Sequence, residues 1–526
     1  MGCRFKSYAG YKRLARLYEY QAKEILSRSG IRIPKGFVIN SLEELESKLD
    51  DLEPPVVLKA QVWLTGRKDL NGIRFANTKD EVIREAKDLL GIKLKKFTVE
   101  KVLIEERITI KQECFAGLMI DDGRKRPLLI FSAAGGTGIE ERGGRTILID
   151  PSTGLEKHKV VGLLKEGGLT GKTLIRTADL VSKLYPIMKR YDARSLEVNP
   201  IAITDEGIAI ALDCHMAIDD YAVYRHPELK IEVAREFDRP PTELERIAYK
   251  VESKDYRGTF YFFQVVEDVP ADGAYIGFHG AGGGGSMFSM DAVTAQGYQI
   301  ANFCDTSGNP PASKVYRAAR IILSQPNISG YFASGSGVAS QEQVQSARGL
   351  VKAFLEENLS IPAVIRLGGN MEEEAVRILK TYLTDIPAPV EGYGKDDPPD
   401  LCALRLKELI RPGTIHQVSR FTLPEPFPYR FETFSGLISI DHQRCRNCQS
   451  RGCIEACRYQ ILKLEDQRPV LAQDPAAVKK GRCPECLACE LFCRFHEQDA
   501  IRIILPIPGL EAYRQRLSDG DHHRQG

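Results

Sequence analysis

The chain has 526 residues, of which 43% are hydrophobic and 27% are charged, a composition that buries ordinary globular cores and a length that suits about three or four domains. Its 73 basic and 71 acidic side chains leave a formal net charge of +2, so no global field points to nucleic acid or to a membrane surface. No run of about 18 or more apolar residues occurs, which excludes a membrane-spanning helix.

The 13 cysteines are distributed unevenly along the chain. Eight lie between Cys445 and Cys493, and the others are scattered singly. Disulfide scaffolds are typical of short secreted chains, whereas one dense cluster in a long chain indicates metal ligation in a reducing compartment. The basic N-terminal stretch lacks the apolar core of a secretory signal. Residues 1–17 are therefore interpreted as a surface extension, and the protein is expected to be cytoplasmic.

Residues from 18 onward carry the pattern of a nucleotide-binding domain. Tyr18–Gly30 is predicted to form a helix, and the buried-looking strand Val56–Leu58 delivers Lys59, which can contact a nucleotide phosphate as a point charge. The segment Gly66–Lys68 combines a small residue with positive charge, as phosphate-binding loops do, although an exposed basic loop is the alternative. The glycine-rich stretch Ser132–Glu140 suits a flap over bound phosphates.

The stretch Leu196–Asp213 is predicted to form a β-hairpin whose turn is centred on Glu206. That register sets Asn199 opposite Asp213, and the alternation of side chains puts Glu197 on the same face as Asn199. Mg²⁺ prefers hard oxygen ligands and takes few carboxylates, so this face is a candidate magnesium site. The alternative is that these residues are ordinary turn formers at strand ends.

Seven short motifs in this part of the chain resemble, in order and in spacing, the ATP-grasp domain of the succinyl-CoA synthetase β-subunit family. They read Y-E-Y-Q-A-K-E-I-L, V-L-K-A-Q-V, G-R-K, V-L-I-E, A-A-G-G-T-G-I-E, L-E-V-N-P and A-L-D. The resemblance implies a nucleotide site formed by Lys59, Gly66, Arg67, Lys68, Glu105, Ile108 and Glu113. It also implies that Asn199 and Asp213 hold Mg²⁺ and that Glu197 helps to grip a phosphorylated histidine of a partner subunit.

Three departures from the family pattern bear on nucleotide or substrate preference. The family usually has Gly-Arg-Gly where this chain has Gly66–Lys68, and its D-G-K reads Asp213–His215 here. Trp63, the only tryptophan in the chain, stands where the family usually has a smaller or imidazole residue.

From Gly273 onward, strand and helix signals alternate, which predicts an open parallel α/β domain. Helices are expected at Ser313–Leu323 and Gln341–Glu357. Glycine clusters follow the predicted strands, where ligands of such sheets bind, at Gly280–Gly285, Gly335–Gly337 and Gly368–Asn370. The first cluster also satisfies G-x-G-x-x-G, but no acidic residue closes the expected βαβ unit, so a dinucleotide site is not favoured.

The same segment resembles the C-terminal domain of those β subunits through H-G-A-G, A-N-F-C-D and R-L-G-G-N. The resemblance implies an acyl-substrate pocket that involves His279, Gly337, Val338 and Ala339. His279 replaces an asparagine of the family and a short insertion follows Gly282. The identity of the acid substrate, succinate or another acid, is therefore left open. The alternative for His279 is a hydrogen-bonded loop histidine.

Two cysteine runs follow a proline-rich stretch. They read Cys445-x2-Cys448-x4-Cys453-x3-Cys457 and Cys483-x2-Cys486-x2-Cys489-x3-Cys493. The second run has the spacing of bacterial-type ferredoxins, in which the fourth cysteine ligates the other cluster. This logic assigns one 4Fe–4S cluster to set A (Cys445, Cys448, Cys453 and Cys493) and another to set B (Cys457, Cys483, Cys486 and Cys489). A zinc ribbon and a single cluster are the alternatives.

With its trailing A-I-R-I-I-L-P-I-P-G, this module resembles the small ferredoxin-like proteins that accompany electron-transfer flavoprotein systems. Arginines surround the cluster sequences at Arg444, Arg446, Arg451, Arg458, Arg482 and Arg494. They form either a docking face for an acidic redox partner or an ordinary solvated basic face.

The sequence thus predicts an α/β multidomain protein with an ATP-grasp domain, a flavodoxin-like open parallel α/β domain and a ferredoxin-like iron–sulfur module. The expected segments are a basic extension (1–17), the ATP-grasp domain (18–245), the α/β domain (246–400), a proline-rich linker (401–433), the iron–sulfur module (434–510) and a polar tail (511–526).

The resemblance implies the β subunit of an NDP-forming acyl-CoA synthetase, an acid–thiol ligase. Its cofactors would be ATP or GTP, Mg²⁺ and two 4Fe–4S clusters. Its partners would be an α-type CoA-binding subunit that carries the phosphohistidine, CoA, a carboxylic acid, and a flavoprotein or other redox protein. The alternative is an electron-transfer subunit in which the ATP-grasp part is a nucleotide sensor or a scaffold.

Overall fold

The computed structural model describes residues 14–64, 66–135, 144–233, 239–255, 259–271, 273–335, 337–340 and 342–519. Contacts divide the chain into two compact units, the first ending at Pro241 and the second beginning at Thr242. This division lies close to the boundary predicted at residue 245. No helix among the described residues combines the length and the apolar character needed to cross a membrane.

The first unit is built on antiparallel strands. They are β1 (Leu14–Arg16), β2 (Gly36–Ile39), β3 (Val56–Ala60), β4 (Ile73–Ala76), β5 (Lys93–Leu94), β6 (Phe97–Thr98), β7 (Val102–Glu106), β8 (Gln112–Asp121), β9 (Arg126–Ser132), β10 (Arg145–Leu148), β11 (Ala193–Ile203), β12 (Ala209–Ala211) and β13 (Cys214–Asp219). The helices are α1 (Glu19–Arg28), α2 (Leu42–Glu46), α3 (Lys79–Leu89), α4 (Lys157–Glu166) and α5 (Gly171–Arg190), with 3-10 turns at Asp220–Arg225 and Pro227–Leu229.

Two antiparallel sheets of this unit carry Lys59, Glu105 and Glu113 of the predicted nucleotide site. One has the strand order β2-β7-β3-β4, and the other has the order β1-β13-β11-β8-β9-β10 with β12 paired to β11. α3 covers the first sheet; it begins at Thr78, whose hydroxyl accepts a hydrogen bond from Glu81 N at 3.2 Å and so caps the helix. Because β1 belongs to the second sheet, the prediction that residues 1–17 form a surface extension is wrong for Leu14–Arg16.

The hairpin predicted around Glu206 is confirmed. Ile201 of β11 pairs with Ala211 of β12, and the same register continues where Asn199 N donates to Asp213 O at 3.2 Å. Alternation along β11 therefore presents Glu197 and Asn199 on one face.

The second unit combines a parallel sheet with smaller antiparallel pieces. Its strands are β14 (Tyr261–Gln264), β15 (Tyr275–Ala281), β16 (Gln299–Asp305), β17 (Gly330–Gly335), β18 (Ala363–Arg366), β19 (Val390–Tyr393), β20 (Tyr429–Glu432), β21 (Leu437–Ile440), β22 (Leu462–Glu465), β23 (Arg468–Leu471) and β24 (Ile501–Ile504). Its helices are α6 (Glu243–Glu252), α7 (Gly283–Ala295), α8 (Ala312–Ile322), α9 (Val344–Glu357), α10 (Glu372–Tyr382), α11 (Pro399–Leu409), α12 (Gly452–Glu455), α13 (Pro475–Ala477), α14 (Ala488–His496) and α15 (Leu510–Ser518). A 3-10 turn lies at Arg444–Asn447 and a π-type turn at Val478–Arg482.

The larger sheet has the order β14-β16-β15-β17-β18-β19, and β14 runs antiparallel to its neighbour while the other pairs are parallel. Its parallel strands follow the order 2-1-3-4-5, which is the flavodoxin-like order, so the predicted open parallel sheet is confirmed. The helices expected at Ser313–Leu323 and Gln341–Glu357 correspond to α8 and α9, although Gln341 lies outside the described residues.

The C-terminal module has a small antiparallel sheet, β20-β21-β24, and the hairpin β22-β23. The proline-rich linker predicted from residue 401 is wrong at its start, because 401–409 lie in α11. Cys402 and Leu406 of this helix are buried in the core beneath the parallel sheet. Pro398 and Pro399 do not prevent the helix, because they stand at its N-cap and first position, where no intrahelical N–H bond is lost.

The polar tail predicted for 511–526 is also wrong over α15. Arg514 of this helix and Arg320 of α8 are fully buried, and both contact the carboxylate of Glu357 on α9. Arg514 Nη2 also donates to Ser419 O at 3.0 Å. The module and the parallel sheet thus share one core, held by buried ion pairs and continuous apolar packing.

Candidate functional site

Charged side chains from separate elements meet inside the first unit. This charge cluster comprises Glu19, Lys23, Lys59, Arg67, Glu105 and Asp213. Lys59 Nζ lies 2.8 Å from Glu19 Oε1 and 2.9 Å from Glu105 Oε2. It also donates to Leu212 O at 2.6 Å. Three cations and three carboxylates thus balance one another in a largely buried setting, as buried charges must.

Arg67 connects this cluster to the predicted magnesium face. Its Nη2 donates to Glu19 Oε2 at 2.7 Å and to Asp213 Oδ2 at 2.8 Å. Its Nη1 donates to Ala60 O at 2.9 Å, and the side chain is only 4% exposed. A planar guanidinium group that donates to three fixed acceptors is held in place, so Arg67 has a defined orientation.

Burial and neighbouring charge act against each other on these groups. Burial raises the pKa of Glu19, but the surrounding cations outweigh it and hold that pKa well below its usual value. Burial lowers the pKa of Lys59, yet the carboxylates around it outweigh burial and raise that pKa above its usual value. Lys23, which pairs with Glu105, instead has its pKa lowered by burial and by the charge of Lys59. Glu19 and Lys59 therefore stay ionised at neutral pH.

The predicted magnesium ligands adjoin this cluster. Asn199 Nδ2 donates to Glu197 Oε1 at 3.3 Å, so the amide oxygen side of Asn199 is oriented by its neighbour. Asp213 Oδ2 is held by Arg67, whereas Asp213 Oδ1 is buried and accepts no hydrogen bond from any residue that the structure describes. A buried acceptor oxygen without a donor suits a hard cation such as Mg²⁺, so the residues present fit this metal.

The other predicted nucleotide residues lie outside the charge cluster. Gly66 and Lys68 are exposed, while Ile108 and Glu113 are half-buried. Gly66 has a φ of +68°, a conformation that favours glycine, and it lets the chain turn so that Arg67 points inward between exposed neighbours. Of the predicted flap, residues 136–140 lie outside the described part of the chain.

His279 occupies a buried position in β15 rather than a loop. Its Nδ1 lies 2.7 Å from the Tyr331 hydroxyl and its Nε2 lies 3.0 Å from Thr306 Oγ1. Because the Thr306 hydroxyl donates to Gly280 O at 3.3 Å, it accepts from Nε2–H, and Tyr331 therefore donates to Nδ1. Both ring nitrogens are thus occupied by protein, and contact with an acyl substrate stays a prediction.

Burial lowers the pKa of His279 to about 3, which makes a testable pH dependence. Between that value and about 6.5, the unfolded chain binds a proton that the native state does not. We therefore expect the free energy of unfolding to fall as the pH drops through this window, by up to about 1.4 kcal/mol per pH unit, and to carry the full contribution above it. Denaturant titrations of wild type and His279→Gln at several pH values check this; equal slopes for both proteins would contradict it.

The predicted acyl segment Gly337–Ala339 runs against the loop after β18. Ala339 forms a parallel bridge with Gly369, and Asn370 N donates to Ala339 O at 3.1 Å. A Cβ on Gly368 would lie 2.5 Å from Gly337 Cα, so this crossing requires glycine. Val338 is 83% exposed, which leaves the segment open to a ligand.

Thiols that belong to the same cysteine set lie near one another, in set A and in set B alike. Burial raises the pKa of Cys453 to about 12, and the further contributions come from Cys493, Cys445 and Cys448 of set A. Burial likewise raises the pKa of Cys483 to about 12, with contributions from Cys486 and Cys457 of set B. Ligation of clusters by these sets stays a prediction.

Set B surrounds a cavity. All four of its cysteines line this cavity together with Ile438, Tyr459, Ile461, Leu462, Pro484, Leu487 and Ile503. One sulfur of each set accepts a backbone hydrogen bond. In set B, Ile461 N donates to Cys457 Sγ at 3.3 Å, and in set A, Ala500 N donates to Cys493 Sγ at 3.1 Å. Across the described residues, however, no group of three or more His, Cys, Asp or Glu side chains is arranged to hold a metal ion.

Comparisons with known proteins cover the nucleotide-binding and parallel-sheet regions. Residues 16–203 match the model of the ATP-grasp domain, and residues 272–404 match that of the ATP citrate lyase citrate-binding domain. The chain is 35% identical to the succinate–CoA ligase [GDP-forming] subunit beta of Thermus thermophilus over 371 residues, which are 69% of this chain and 93% of that protein. The [ADP-forming] subunit beta of Ignicoccus hospitalis is equally similar, at 35% identity over the same shares. This chain belongs to the succinate–CoA ligase β-subunit family.

Membership of the succinate–CoA ligase β-subunit family makes the chain an acid–thiol ligase subunit with an ATP-grasp domain. Among solved structures, ATP citrate lyase from Methanothrix soehngenii, in complex with citrate and coenzyme A, has a TM-score of 0.64. At 20% identity it covers 75% of this chain and 100% of its own, so it shows likeness of fold. The matching family models end at residue 404, before the cysteine runs.

Within the succinate–CoA ligase β-subunit fold, Glu19 and Lys23 are the site residues that sequence reasoning missed. They stand one helical turn apart on α1, in the motif Y-E-Y-Q-A-K-E, and both are buried. Two opposite charges at that spacing on the buried face of a helix were the available signal. The structure brings Lys59, Arg67, Glu105 and Asp213 together around them.

Proposed function

We propose that the chain is the nucleotide- and acid-binding subunit of an NDP-forming acyl-CoA synthetase. The reaction converts a carboxylate, CoA and ATP or GTP into acyl-CoA, the nucleoside diphosphate and phosphate. The phosphoryl group would pass through a histidine of an α-type partner subunit that also binds CoA. The observation that carries the proposal is the charge cluster, which includes Asp213 and adjoins Asn199, in a chain whose relatives are named ADP- or GDP-forming ligase β subunits.

Lys59 and Arg67 would supply fixed positive charge for the nucleotide phosphates. Lys59 Nζ already donates to Glu19 Oε1 and Leu212 O and forms an ion pair with Glu105. An arriving phosphate oxygen would therefore replace a protein acceptor, which limits the net gain to the difference between the two contacts. Mg²⁺ held by Asn199 and Asp213 would supply charge neutralisation on the phosphates. Glu197, on the same face, would orient the partner's histidine.

The acid would bind at the carboxyl ends of β15 and β17. Gly283 opens α7 directly after β15, so backbone N–H groups at this helix start can face a carboxylate, and Gly337–Ala339 would provide the opposite wall. The matched citrate-binding model and the succinate-named relatives both concern small polycarboxylic acids. We therefore infer a di- or tricarboxylic acid as the substrate class.

The C-terminal module would carry a 4Fe–4S cluster on each cysteine set. Each thiolate of such a cluster binds its own iron, so its ligands surround the cluster, as the cysteines of set B surround their cavity. The N–H donors on Cys457 Sγ and Cys493 Sγ support this proposal because such bonds stabilise thiolate ligands. An acidic or flavin-containing redox protein would dock at the arginines, of which Arg444 and Arg458 pair with Asp441 and Glu342.

Phosphoryl transfer to the partner tests the proposal directly. Anaerobically purified protein is mixed with its candidate α-type partner, Mg²⁺ and γ-labelled ATP, and label is followed onto histidine. We expect labelling by wild type and a loss of at least about a hundredfold in Asp213→Ala, because Asp213 would bind the metal. Asp205→Ala, in the exposed turn of the same hairpin, is the matched control and should label normally. Absence of label with wild type and a folded partner would favour the electron-transfer alternative.

A further inference from the structure

α14 is common to both cysteine sets. It carries Cys489 of set B and Cys493 of set A one turn apart, so a cluster on either set would hold the same helix. Loss of a cluster would leave α14 fixed only by its other contacts.

A buried ion pair joins α14 to α9. Glu490 lies between the two cysteines of α14, and its Oε1 is 2.7 Å from Lys352 Nζ on α9. Both side chains are less than a tenth exposed. Glu490 Oε1 also accepts from Ile503 N at 3.0 Å, and Lys352 contacts Glu356 at 2.9 Å. A buried pair of this kind holds two helices in one register, while Glu490 Oε2 accepts no hydrogen bond from any residue that the structure describes.

The N-terminal end of α9 is connected to the predicted acyl segment through Asn370. α9 begins at Val344, and Gln343 N donates to Asn370 O at 2.8 Å. Asn370 N in turn donates to Ala339 O at 3.1 Å. Glu342 also pairs with Arg458, the neighbour of Cys457, at 2.6 Å. The two backbone hydrogen bonds connect the start of α9 to the backbone of Asn370 and Ala339, so a shift of α9 along its axis would be passed to the acyl segment.

We propose that the state of the cysteine sets governs acid binding through Lys352 and Glu490, which act as positioning residues for the acyl segment Gly337–Ala339. With clusters bound, α14 is fixed, α9 is fixed through the Lys352–Glu490 pair, and the acyl segment keeps its binding geometry. With the sets empty, α9 loses that restraint and the acid binds less tightly. The inference rests on the proposed function, both for the acyl segment and for the clusters.

The test compares loaded and cluster-stripped protein made from one anaerobic preparation. Iron and acid-labile sulfide are measured first, then hydrogen exchange of residues 337–343 and α9, and finally ligase kinetics with the partner. Stripping should speed exchange in 337–343 and raise the KM for the acid by about 5- to 30-fold. The KM for the nucleotide should stay unchanged, because the charge cluster lies in the other unit. Unaltered exchange after stripping overturns the proposal.

Lys352→Met/Glu490→Gln uncouples the two helices without leaving a buried charge. In this variant we expect exchange and acid KM to be the same with and without clusters. Lys463→Met/Glu465→Gln, which removes an exposed pair of the same module, is the control and should respond as wild type does. If the uncoupled variant does not fold, Arg458→Gln removes the exposed link at Glu342 and should reduce the response to stripping. If the uncoupled variant folds and stripping still changes its exchange and its acid KM as in wild type, the proposed route through Lys352 and Glu490 is overturned.

The outcomes separate this inference from the proposed function. Protein that never contains iron would refute the iron–sulfur proposal and, with it, the coupling. Protein that contains iron and shows the change in exchange, but transfers no phosphate, would support the coupling and refute the ligase proposal. If the protein is an active ligase and its KM for the acid is the same with and without clusters, only the coupling is refuted.

Discussion

Glu19→Ala is expected to lower the free energy of unfolding of the first unit by about 3–5 kcal/mol, the typical cost of removing one partner from a buried ion pair. The Glu19 side chain is 2% exposed and contacts Lys59, Arg67 and Lys23. Its loss leaves three buried cations against two carboxylates. The same change should weaken nucleotide binding, because Lys59 and Arg67 lose the acceptor that fixes their positions. Denaturant unfolding and isothermal titration with Mg²⁺-nucleotide measure both effects.

Glu24→Ala provides the matched control on the same helix. Glu24 pairs with Arg28 in an exposed setting, and surface changes of this kind usually stay within about 0.5 kcal/mol. Glu19→Gln, which keeps the shape and one acceptor oxygen, should fall between wild type and Glu19→Ala. Equal stability of Glu19→Ala and Glu24→Ala would show that the charge cluster does not hold this unit together.

Arg514→Ala is expected to destabilise the second unit by a similar amount, about 3–5 kcal/mol. The side chain is fully buried, donates to Glu357 Oε2 at 2.6 Å and to Ser419 O at 3.0 Å. Its removal leaves Arg320 as the main counter-charge of Glu357 and opens a cavity beneath α15. Thermal unfolding followed by far-ultraviolet circular dichroism gives the change in stability.

Arg516→Ala is the control for that substitution. Arg516 lies on the same helix and pairs with Glu243, but both side chains are about half exposed, so little stability is expected to be lost. If Arg514→Ala unfolds at the same temperature as Arg516→Ala, the buried pairs do not connect the C-terminal helix to the rest of the unit.

Local periodicity explains what could be predicted from the sequence. The hairpin at Asn199 and Asp213 follows from alternation about a polar turn, and one consistent register satisfies its pairing. The parallel sheet follows from buried strand signals that alternate with helices. In both cases the information lies within a short window, so no knowledge of distant packing is needed.

The errors come from contacts between residues far apart in sequence. α11 reads as a linker because prolines precede it, but Cys402 and Leu406 find a core that the local pattern does not show. α15 reads as a polar tail because Arg514 is charged, and only its partner Glu357, 157 positions away, makes burial feasible. The same limit applies to the site: Lys59 is visible as a cation at a strand end and Arg67 as a cation in a loop, whereas their partner Glu19 is assigned only when the sheets are assembled.

The carboxylate of Glu357, shared by Arg320 and Arg514, makes the folding of the parallel-sheet part depend on the C-terminal helix. A polypeptide cut after Leu409 would leave Glu357 and Lys352 facing water on helices shaped for an interior. A free-standing ligase domain could arise from this chain only after those positions acquired new side chains. Truncation after Leu409 is accordingly expected to destabilise the parallel-sheet part, because Lys352 and Glu357 would lose the partners Glu490 and Arg514 that lie beyond that point.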